Sequence, residues 1–321
     1  MIQFAKKSDI EDIMSFIDTE WKKNHILARD RAFFEYMYVL GEQVNFVISR
    51  DESCQVNGIL GFIPYDRECK QVSLTMWKAL ASSEGMVGMG MLNALLKEIQ
   101  PEVIASPGIN PQTTIPLYRF LKFETGKMKH YFRLNKCEEY NIAMVKDGGE
   151  IADVPDEGNV FELYSYDEFL QLQIKYESNA LKKEEWYIKK RYFEHPVYKY
   201  RFFCVKEEEN SLIIVAREEY VGQAVCLRMV DLLGKHSLLS KATKFLDHEM
   251  KKEKYEYLDC YVAGIKDAVF RDAGWENCEE RDVIIPNYFA PFERTNIDVY
   301  YCSKPGGTVL FRGDGDQDRP N

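Results

Sequence analysis

The sequence lacks three features that would place it in familiar classes. None of its eight cysteines forms a Cys-x-x-Cys pair, and its five histidines show no metal-ligand spacing. No apolar run approaches the roughly 20 residues that a membrane-spanning helix needs. We therefore predict no zinc or other metal site and no membrane insertion. Because the chain starts with a strand-like segment at Ile2–Phe4 instead of a signal peptide, we expect a cytoplasmic protein with reduced, buried thiols.

Positive charge is also scarce. The chain has 42 Lys and Arg against 52 Asp and Glu, which gives a formal net charge of −10 at pH 7. Nucleic acids and anionic membranes repel such a chain, so we exclude both as general partners. A local basic pocket for an anionic coenzyme remains compatible with this composition. The length of 321 residues is enough for two domains of ordinary size.

The most informative stretch is a glycine-rich turn between an apolar strand, residues 72–80, and an amphipathic helix. The apolar face of this helix consists of Leu92, Leu95, Leu96 and Ile99. Gly85, Gly88 and Gly90 lie in the turn. Backbone N–H groups of such a turn point at one place near the positive end of the helix dipole, and a pyrophosphate is the usual occupant. Close packing is the alternative explanation for Gly88 and Gly90.

Two common nucleotide-binding motifs do not fit this turn. No Lys-Ser or Lys-Thr follows the last glycine, which excludes a P-loop. No acidic residue follows at the distance typical of dinucleotide-binding folds, which disfavours that fold.

The predicted elements occur twice in the same order. Each half has a strand, two helices, a hairpin, a long strand, a helix, a strand, a short helix and two closing strands. The segments 117–123 and 269–275 occupy equivalent places in the two halves. We therefore predict duplicated domains at 1–147 and 160–321, joined by a Gly- and acid-rich linker at 148–159.

The element order and two motifs resemble those of the GNAT acyltransferases. Residues 85–90, Gly-Met-Val-Gly-Met-Gly, are similar to the family's loop for the pyrophosphate of acyl-CoA. Residues 110–123, with Asn110, Tyr118 and Phe123, are similar to its later Asn…Leu-Tyr…Gly-Phe element. The first half fits in motifs and order, and the second half in order only. The resemblance implies an α/β (α+β) fold of two tandem GNAT-like domains, each a mixed, mostly antiparallel sheet flanked by helices.

The sequence departs from the family pattern at several positions. Gly85 stands where the family usually has Arg or Gln, and Lys122 stands where it usually has Gly. In the second half, residues 233–237 lack the glycine spacing and Phe270 replaces Tyr118. We therefore expect acyl-CoA to bind the first domain only. The second domain is expected to shape the acceptor pocket or to bind a partner.

The resemblance also implies roles for individual residues. Backbone N–H groups near Ala79 and Leu80 would polarise the thioester carbonyl. The implied pyrophosphate donors are the N–H groups of Gly85, Met86, Val87, Gly88, Met89 and Gly90. Tyr118 would protonate the departing thiolate, or it packs in the interior. Asn110 would hydrogen-bond the pantetheine amides, or it caps the following helix.

The general base remains open at this point. Glu84 is nearest to the glycine turn in sequence, and Asp66, Glu68 and His130 are the other candidates. Proton transfer through water, without a single base, is a further alternative. The implied reaction is direct transfer, without a covalent enzyme intermediate.

The carboxyl end carries a second resemblance. Residues 284–292 and 313–321 resemble stretches of bacterial proteins associated with surface-polysaccharide synthesis, which suggests a sugar acceptor. Asp314, Asp316 and Asp318 are spaced as in a calcium loop, but the distant Glu of such a loop is missing. We predict a solvated or acceptor-binding tail.

Taken together, these observations predict an N-acyltransferase that uses acetyl-CoA, or another acyl-CoA, and acts on a small amine such as a nucleotide-linked amino sugar. Two alternatives are a peptidoglycan-bridge-type aminoacyl transferase and a non-catalytic binding protein with a degenerate coenzyme site. The acidic charge disfavours the first alternative, because its donor is carried on tRNA. The oligomeric state is open, with a homodimer as one alternative.

Overall fold

The computed structural model of the protein describes residues 1–80, 86–146, 151–154 and 158–320. These residues form two compact units. The first contains Met1–Ser106 and the carboxyl-terminal residues from Gly315, and the second contains Pro107–Asp314. The bounds of these units differ from those of the predicted domains, and half of the predicted linker lies outside the described residues.

The first unit is built on one mixed sheet. Its elements in chain order are β1 (Ile2–Phe4), α1 (Ile10–Phe16), α2 (Ile26–Arg29), α3 (Arg31–Tyr38), β2 (Val39–Leu40), β3 (Gln43–Val44), β4 (Phe46–Arg50), β5 (Val56–Pro64), β6 (Gln71–Ala79), α4 (Val87–Ile99) and β7 (Val103–Pro107). The strands are arranged β1-β4-β5-β6-β7. Neighbours are antiparallel except β6 and β7, which are parallel.

A side-chain cap accounts for where α3 begins, whereas α1 follows a short turn and has no such cap. The Asp30 carboxylate accepts a hydrogen bond from the Phe33 amide at 2.9 Å, and aspartate is among the residues preferred at this position of a helix start. Near the amino terminus Ser8 and Glu11 have the spacing of a capping box and predict one, but they do not cap α1, whose N-cap residue is Asp9. The Asp9 carboxylate instead accepts from the Lys6 amide at 2.8 Å, because a short 3₁₀ turn precedes α1.

The second unit holds the remaining elements. In chain order they are α5 (Ile115–Phe120), β8 (Glu124–Lys127), β9 (Lys129–Leu134), β10 (Met144–Val145), β11 (Asn159–Leu163), α6 (Tyr166–Leu170), α7 (Glu185–Ile188), β12 (Arg201–Glu207), β13 (Asn210–Val221), β14 (Ala224–Gly234), α8 (Leu239–Glu253), β15 (Tyr255–Ala263), α9 (Asp267–Asp272), β16 (Glu276–Asn277), β17 (Val283–Ile284), β18 (Tyr288–Phe289), β19 (Phe292–Glu293), β20 (Tyr300–Lys304) and β21 (Leu310–Phe311). Its main sheet has the order β11-β12-β13-β14-β15-β9-β16, with β21 also paired to β15.

Strands are exchanged between the two halves of the sequence. The predicted closing strand of the first half, β9, pairs antiparallel with β15 of the second half, with His130 opposite Tyr261. Conversely, β20 of the second half pairs antiparallel with β8 of the first, with Tyr301 opposite Gly126. Every residue of β15 is buried, so its backbone groups need ladder partners on both edges, and β14 and β9 supply them. The exchange explains why the compact units and the predicted domains have different bounds.

Helices α8 and α9 cover one face of the second sheet. Leu239 and Leu246 of α8 and Phe270 of α9 are fully buried against Met229 and Leu258 of the strands. Among the described residues, no helix is both long and apolar enough to cross a membrane.

Candidate active site

The first sheet opens where β6 separates from β7. Their parallel pairing matches Gln71 with Val103 and Val72 with Ile104. Beyond it, the amide of Leu74 donates to the side-chain hydroxyl of Ser106 at 2.7 Å. This buried hydroxyl takes the place of a strand carbonyl, so the Leu74 amide is satisfied while β6 continues on to Ala79.

A bulge bends β6 inside this opening. The register between β5 and β6 shifts between Ile59 and Gly61, which face Lys78 and Thr75 respectively. Met76, in the bulge, has a φ of 45°, in the left-handed region that non-glycine residues rarely adopt. Bulges of this kind often lie beside functional sites, where they redirect the backbone.

The two predicted carbonyl-polarising amides point in different directions. The Leu80 amide donates to the carbonyl of Asn57 on the β5 side at 2.9 Å, so it is engaged within the sheet. Because successive residues of a strand direct their amides to opposite sides, the Ala79 amide points away from β5. Of the two, only Ala79 is oriented for the predicted role.

Helix α4 begins directly after the residues that lie outside the described ranges. Met86 precedes the helix with a φ of 100°, and the Gly90 amide donates to the Met86 carbonyl at 2.8 Å. Gly90 is therefore engaged within the helix. The amides of Val87, Gly88 and Met89 are the first of the helix, and such amides have no acceptor inside it. They are the described donors that fit an anion at this end.

The two described glycines of the turn have different surroundings. A methyl group placed on Gly90 would lie 2.6 Å from Ile2 Cδ1, so this glycine lets α4 pack closely against β1. A methyl group on Gly88 would lie 3.4 Å from Trp77 Nε1, an ordinary contact distance. Packing thus accounts for Gly90 but not for Gly88. Gly85 and Glu84 lie outside the described residues, so their predicted roles stay predictions.

Tyr118 and Asn110 lie in the second unit. Tyr118, on α5, is 2% exposed and packs against Phe123 with ring centroids 5.2 Å apart. Burial raises the pKa of its hydroxyl well above the usual value, and a hydrogen bond with Cys302 adds to the effect. The hydroxyl is protonated at neutral pH, and the raised pKa makes it a weaker acid than an exposed tyrosine. The side-chain oxygen of Asn110 accepts from the amides of Gln112 and Thr113 at 2.9 and 3.0 Å, so it caps the turn before α5 and not α5 itself, whose N-cap residue is Thr114.

The described candidates for a general base are occupied or exposed. The Asp66 carboxylate accepts from the amides of Lys70 and Gln71 at 2.9 and 2.8 Å and closes the β5–β6 turn. Glu68 is exposed in the same turn. His130 is buried in the second unit, where it contacts the carboxylate of Asp259 at 2.9 Å.

His130 belongs to a charge network that the sequence analysis did not identify. Arg228 donates to both carboxylate oxygens of Asp259, and both residues are fully buried. Burial alone would raise the pKa of Asp259, but Arg228 and His130 outweigh it and hold the pKa at about 2. Arg228 also donates to the carbonyls of Pro286 and Asn287 at 2.8 and 2.9 Å. The available sequence signal was the charged residue near the centre of each of two largely apolar strands, Arg228 on β14 and Asp259 on β15.

The carboxyl-terminal tail is buried, so the prediction that it is solvated is wrong. Asp314, Asp316 and Asp318 are 0%, 5% and 1% exposed. Their burial is compensated by partners such as Lys183, whose Nζ lies 2.9 Å from Asp314, and Arg319, which lies 2.8 Å from Asp316. Within the ranges that the structure describes, no group of three or more His, Cys, Asp or Glu side chains could hold a metal ion.

Tail packing in the first unit involves a second buried histidine. The Nδ1 atom of His25 accepts from the Leu27 amide at 3.2 Å and caps α2, and its Nε2 lies 3.2 Å from Arg319. Burial, followed by the charges of Arg319, Lys22 and Arg29, lowers the pKa of His25 from 6.5 to about 4.

Replacing His25 with asparagine is expected to remove part of the acid sensitivity of the fold. Between pH 6.5 and 4 the unfolded chain binds a proton at His25 that the folded chain does not, so this contribution is complete above pH 6.5 and is lost as the pH falls. The loss amounts to about 3 kcal/mol by pH 4. Urea unfolding of wild type and variant at pH 7, 5.5 and 4.5 measures it. His248→Asn, on an exposed position of α8, is the matched control. If the difference in the free energy of unfolding between wild type and variant did not change with pH, the lowered pKa of His25 would be contradicted.

Comparisons with known proteins identify the fold of the chain. No protein-family model matches the sequence, and no curated protein matches it either. A solved GCN5-related N-acetyltransferase from Anabaena variabilis is similar, with a TM-score of 0.57, 11% identity, and coverage of 94% of this chain and 72% of that one. The chain has the GNAT fold. The predicted α/β (α+β) class, with mixed, mostly antiparallel sheets flanked by helices, is confirmed.

Two other solved structures match at lower TM-scores. A GCN5-related N-acetyltransferase from Sphaerobacter thermophilus has a TM-score of 0.44 and 9% identity, and the match covers 95% of each chain. Saccharomyces cerevisiae N-myristoyltransferase with bound myristoyl-CoA has a TM-score of 0.44 and 10% identity, with 94% of this chain and 78% of that chain covered. At TM-scores below 0.5, these two matches bear on neither the fold nor the function of this chain.

Proposed function

We propose that the protein is an acyl-CoA-dependent N-acyltransferase, with acetyl-CoA as the donor and a small amine, such as a nucleotide-linked amino sugar, as the acceptor. The observation that supports this most is the opening between β6 and β7, followed directly by the amino-terminal end of α4, in a chain with the GNAT fold. We also propose that the chain arose by duplication of one GNAT-like domain, since both sheets contain a parallel pair preceded by antiparallel strands.

The donor site that we propose uses main-chain groups. The amides of Val87, Gly88 and Met89 hold the pyrophosphate, because they start a 13-residue helix whose dipole favours an anion there. The Ala79 amide points into the opening and hydrogen-bonds the thioester carbonyl, which stabilises the negative charge that develops on its oxygen. Bound coenzyme supplies the activated acyl group.

Tyr118 is proposed as the acid that protonates the departing thiolate. Its hydroxyl carries a proton at neutral pH, as tyrosine does at its ordinary pKa, so it is in the donating form before the reaction. Proton removal from the amine is proposed to pass through water, because the described carboxylate of Asp66 is already hydrogen-bonded to backbone amides.

Replacing Tyr118 with phenylalanine tests both the reaction and the acid. With acetyl-CoA and a panel of nucleotide amino sugars, wild type is expected to release free thiol, and the variant to release it about 100-fold more slowly at saturating donor. Donor-induced thermal stabilisation should stay unchanged, since the hydroxyl does not bind the pyrophosphate. Tyr301→Phe, on β20, removes a hydroxyl that contacts the exposed Glu124 and is the matched control.

The outcomes separate the alternatives. Full turnover by Tyr118→Phe would exclude the acid role. Thermal stabilisation by acetyl-CoA without thiol release from any amine would favour a non-catalytic binding protein. If acetyl-CoA causes neither thermal stabilisation nor thiol release, the proposal of an acyl-CoA enzyme loses its support.

A further inference from the structure

In the second sheet the parallel strands β14 and β15 diverge, as β6 and β7 do in the first sheet. Here, however, another segment of the same chain fills the opening between the strands. The parallel pairing of β14 with β15 ends with Met229 opposite Cys260. Beyond that point Val262 and Ala263 of β15 pair antiparallel with β21. On the other side, the amide of Gly313 donates to the Val230 carbonyl of β14 at 2.7 Å. Residues Val309–Asp314, which we call the wedge segment, therefore hydrogen-bond to both diverging strands.

The wedge segment has a defined shape. At its start, the Val309 amide donates to the Asn179 carbonyl at 2.8 Å. At its end the chain reverses, because the Phe311 amide donates to the Asp314 carboxylate at 2.8 Å and the Asp314 amide donates back to the Phe311 carbonyl at 3.1 Å. Phe311 is buried, with its ring edge-on to that of His236.

Buried charges hold the end of the wedge segment. Lys183 forms ion pairs with Asp314 and with Asp231, which follows Val230 on β14. All three side chains are at most 5% exposed. The hydroxyl of Tyr192 donates to Asp231 at 2.6 Å. A buried lysine between two carboxylates loses much of its stabilisation when one of them leaves, so Asp314 is strongly retained.

The packing at Gly313 is tight enough to exclude any side chain. A methyl group built on it would lie 2.7 Å from the Val230 carbonyl oxygen and 2.7 Å from the Tyr192 hydroxyl. The first of these is backbone in a central strand and has little freedom to move. Gly313 does not have a positive φ angle, so the lack of space and not the backbone conformation requires glycine at this position.

We propose that the wedge segment is a built-in ligand of the second sheet, which closes the opening between β14 and β15 to acyl-CoA and leaves one donor site per chain. The closure stands on the contacts of the second unit alone, whereas the count of one donor site rests on the proposed function. It also gives a physical reason why the turn at 233–237 can dispense with glycine spacing, since no pyrophosphate has to be held there.

Hydrogen–deuterium exchange of Gly313→Ala in the full chain tests the closure without any coenzyme. The added methyl is expected to displace the wedge segment, so exchange of peptides covering 309–314 and 258–264 should be at least 10-fold faster than in wild type. Gly306→Ala is the matched control, because the three atoms nearest to its methyl all belong to the exposed Glu124 side chain and none is backbone. Unchanged exchange in Gly313→Ala would overturn the closure.

A second, milder variant tests the closure in case Gly313→Ala fails to fold. Asp314→Asn keeps the size of the side chain and leaves Lys183 paired with Asp231, so near-UV circular dichroism should stay native while exchange at 309–314 rises. Protection equal to wild type in this variant would also count against the closure.

Calorimetric titration of wild type with acetyl-CoA then measures the number of sites. One site per chain is expected, and two would overturn the proposal. Absence of binding would contradict the proposed function and, with it, the count of one site, while the exchange experiment still decides whether the wedge segment closes the second sheet.

Discussion

Replacing Asp259 with alanine is expected to lower the free energy of unfolding by about 3–5 kcal/mol. Arg228 and Asp259 are both fully buried, so the variant leaves a guanidinium in the interior without the carboxylate that it contacts at 2.8 Å. His130 loses its hydrogen-bond partner in the same step. Urea unfolding at pH 7, followed by tryptophan fluorescence, measures the change.

Two controls identify the cause of this effect. Asp282→Ala breaks an exposed ion pair with Lys146 and should cost less than about 1 kcal/mol. The double variant Arg228→Met with Asp259→Leu removes both charges and should be more stable than Asp259→Ala alone, because no buried charge remains unpaired. If Asp259→Ala were as mild as Asp282→Ala, the network would not be a stabilising element of the second unit.

Replacing Gly88 with glutamate is expected to abolish the rise in melting temperature that acetyl-CoA causes in wild type. The new carboxylate lies at the start of α4, where it repels the pyrophosphate and competes for the same amides. Losing two or more charge-assisted hydrogen bonds corresponds to at least about 100-fold weaker binding. An acidic residue at a helix start is itself favourable, so the variant without coenzyme should be as stable as wild type.

A matched control places the same charge elsewhere on the same helix. Asn93→Glu lies on an exposed position of α4, beyond its first turn, and should retain the thermal shift. A retained shift in Gly88→Glu would show that the start of α4 does not hold the pyrophosphate. The absence of any shift in wild type at millimolar acetyl-CoA would count against the donor site altogether.

Local patterns in the sequence predicted local structure well. Ser165 and Glu168 have the spacing that predicts a capping box, and the box forms: the Glu168 amide donates to the Ser165 hydroxyl at 3.2 Å, and the Glu168 carboxylate accepts from the Ser165 amide. Partners distant in sequence could not be predicted in this way. The alternation in β9 is the same whichever sheet receives the strand, so the exchange with β15 leaves no local signal.

Glycine and aspartate were ambiguous for physical reasons. A small residue serves an anion cradle and a close helix–strand contact equally well, so Gly90 could be assigned to packing only once Ile2 was found beside it. Asp314 looked solvated because the cation that compensates it, Lys183, lies more than a hundred residues earlier in the chain. The pair Ser106 and Leu74, which holds the first opening, likewise has no sequence signature.

Because strands are exchanged, each half of the sequence depends on the other for the pairing of its strands. Cutting the chain within 148–159 would give an amino-terminal fragment that carries β9 away from β15, and a carboxyl-terminal fragment that carries β20 away from β8. Each fragment would present bare backbone edges that invite aggregation. Neither half is thus a self-sufficient module that could be transplanted or lost alone, and a substitution in one half can act on the sheet that mainly belongs to the other.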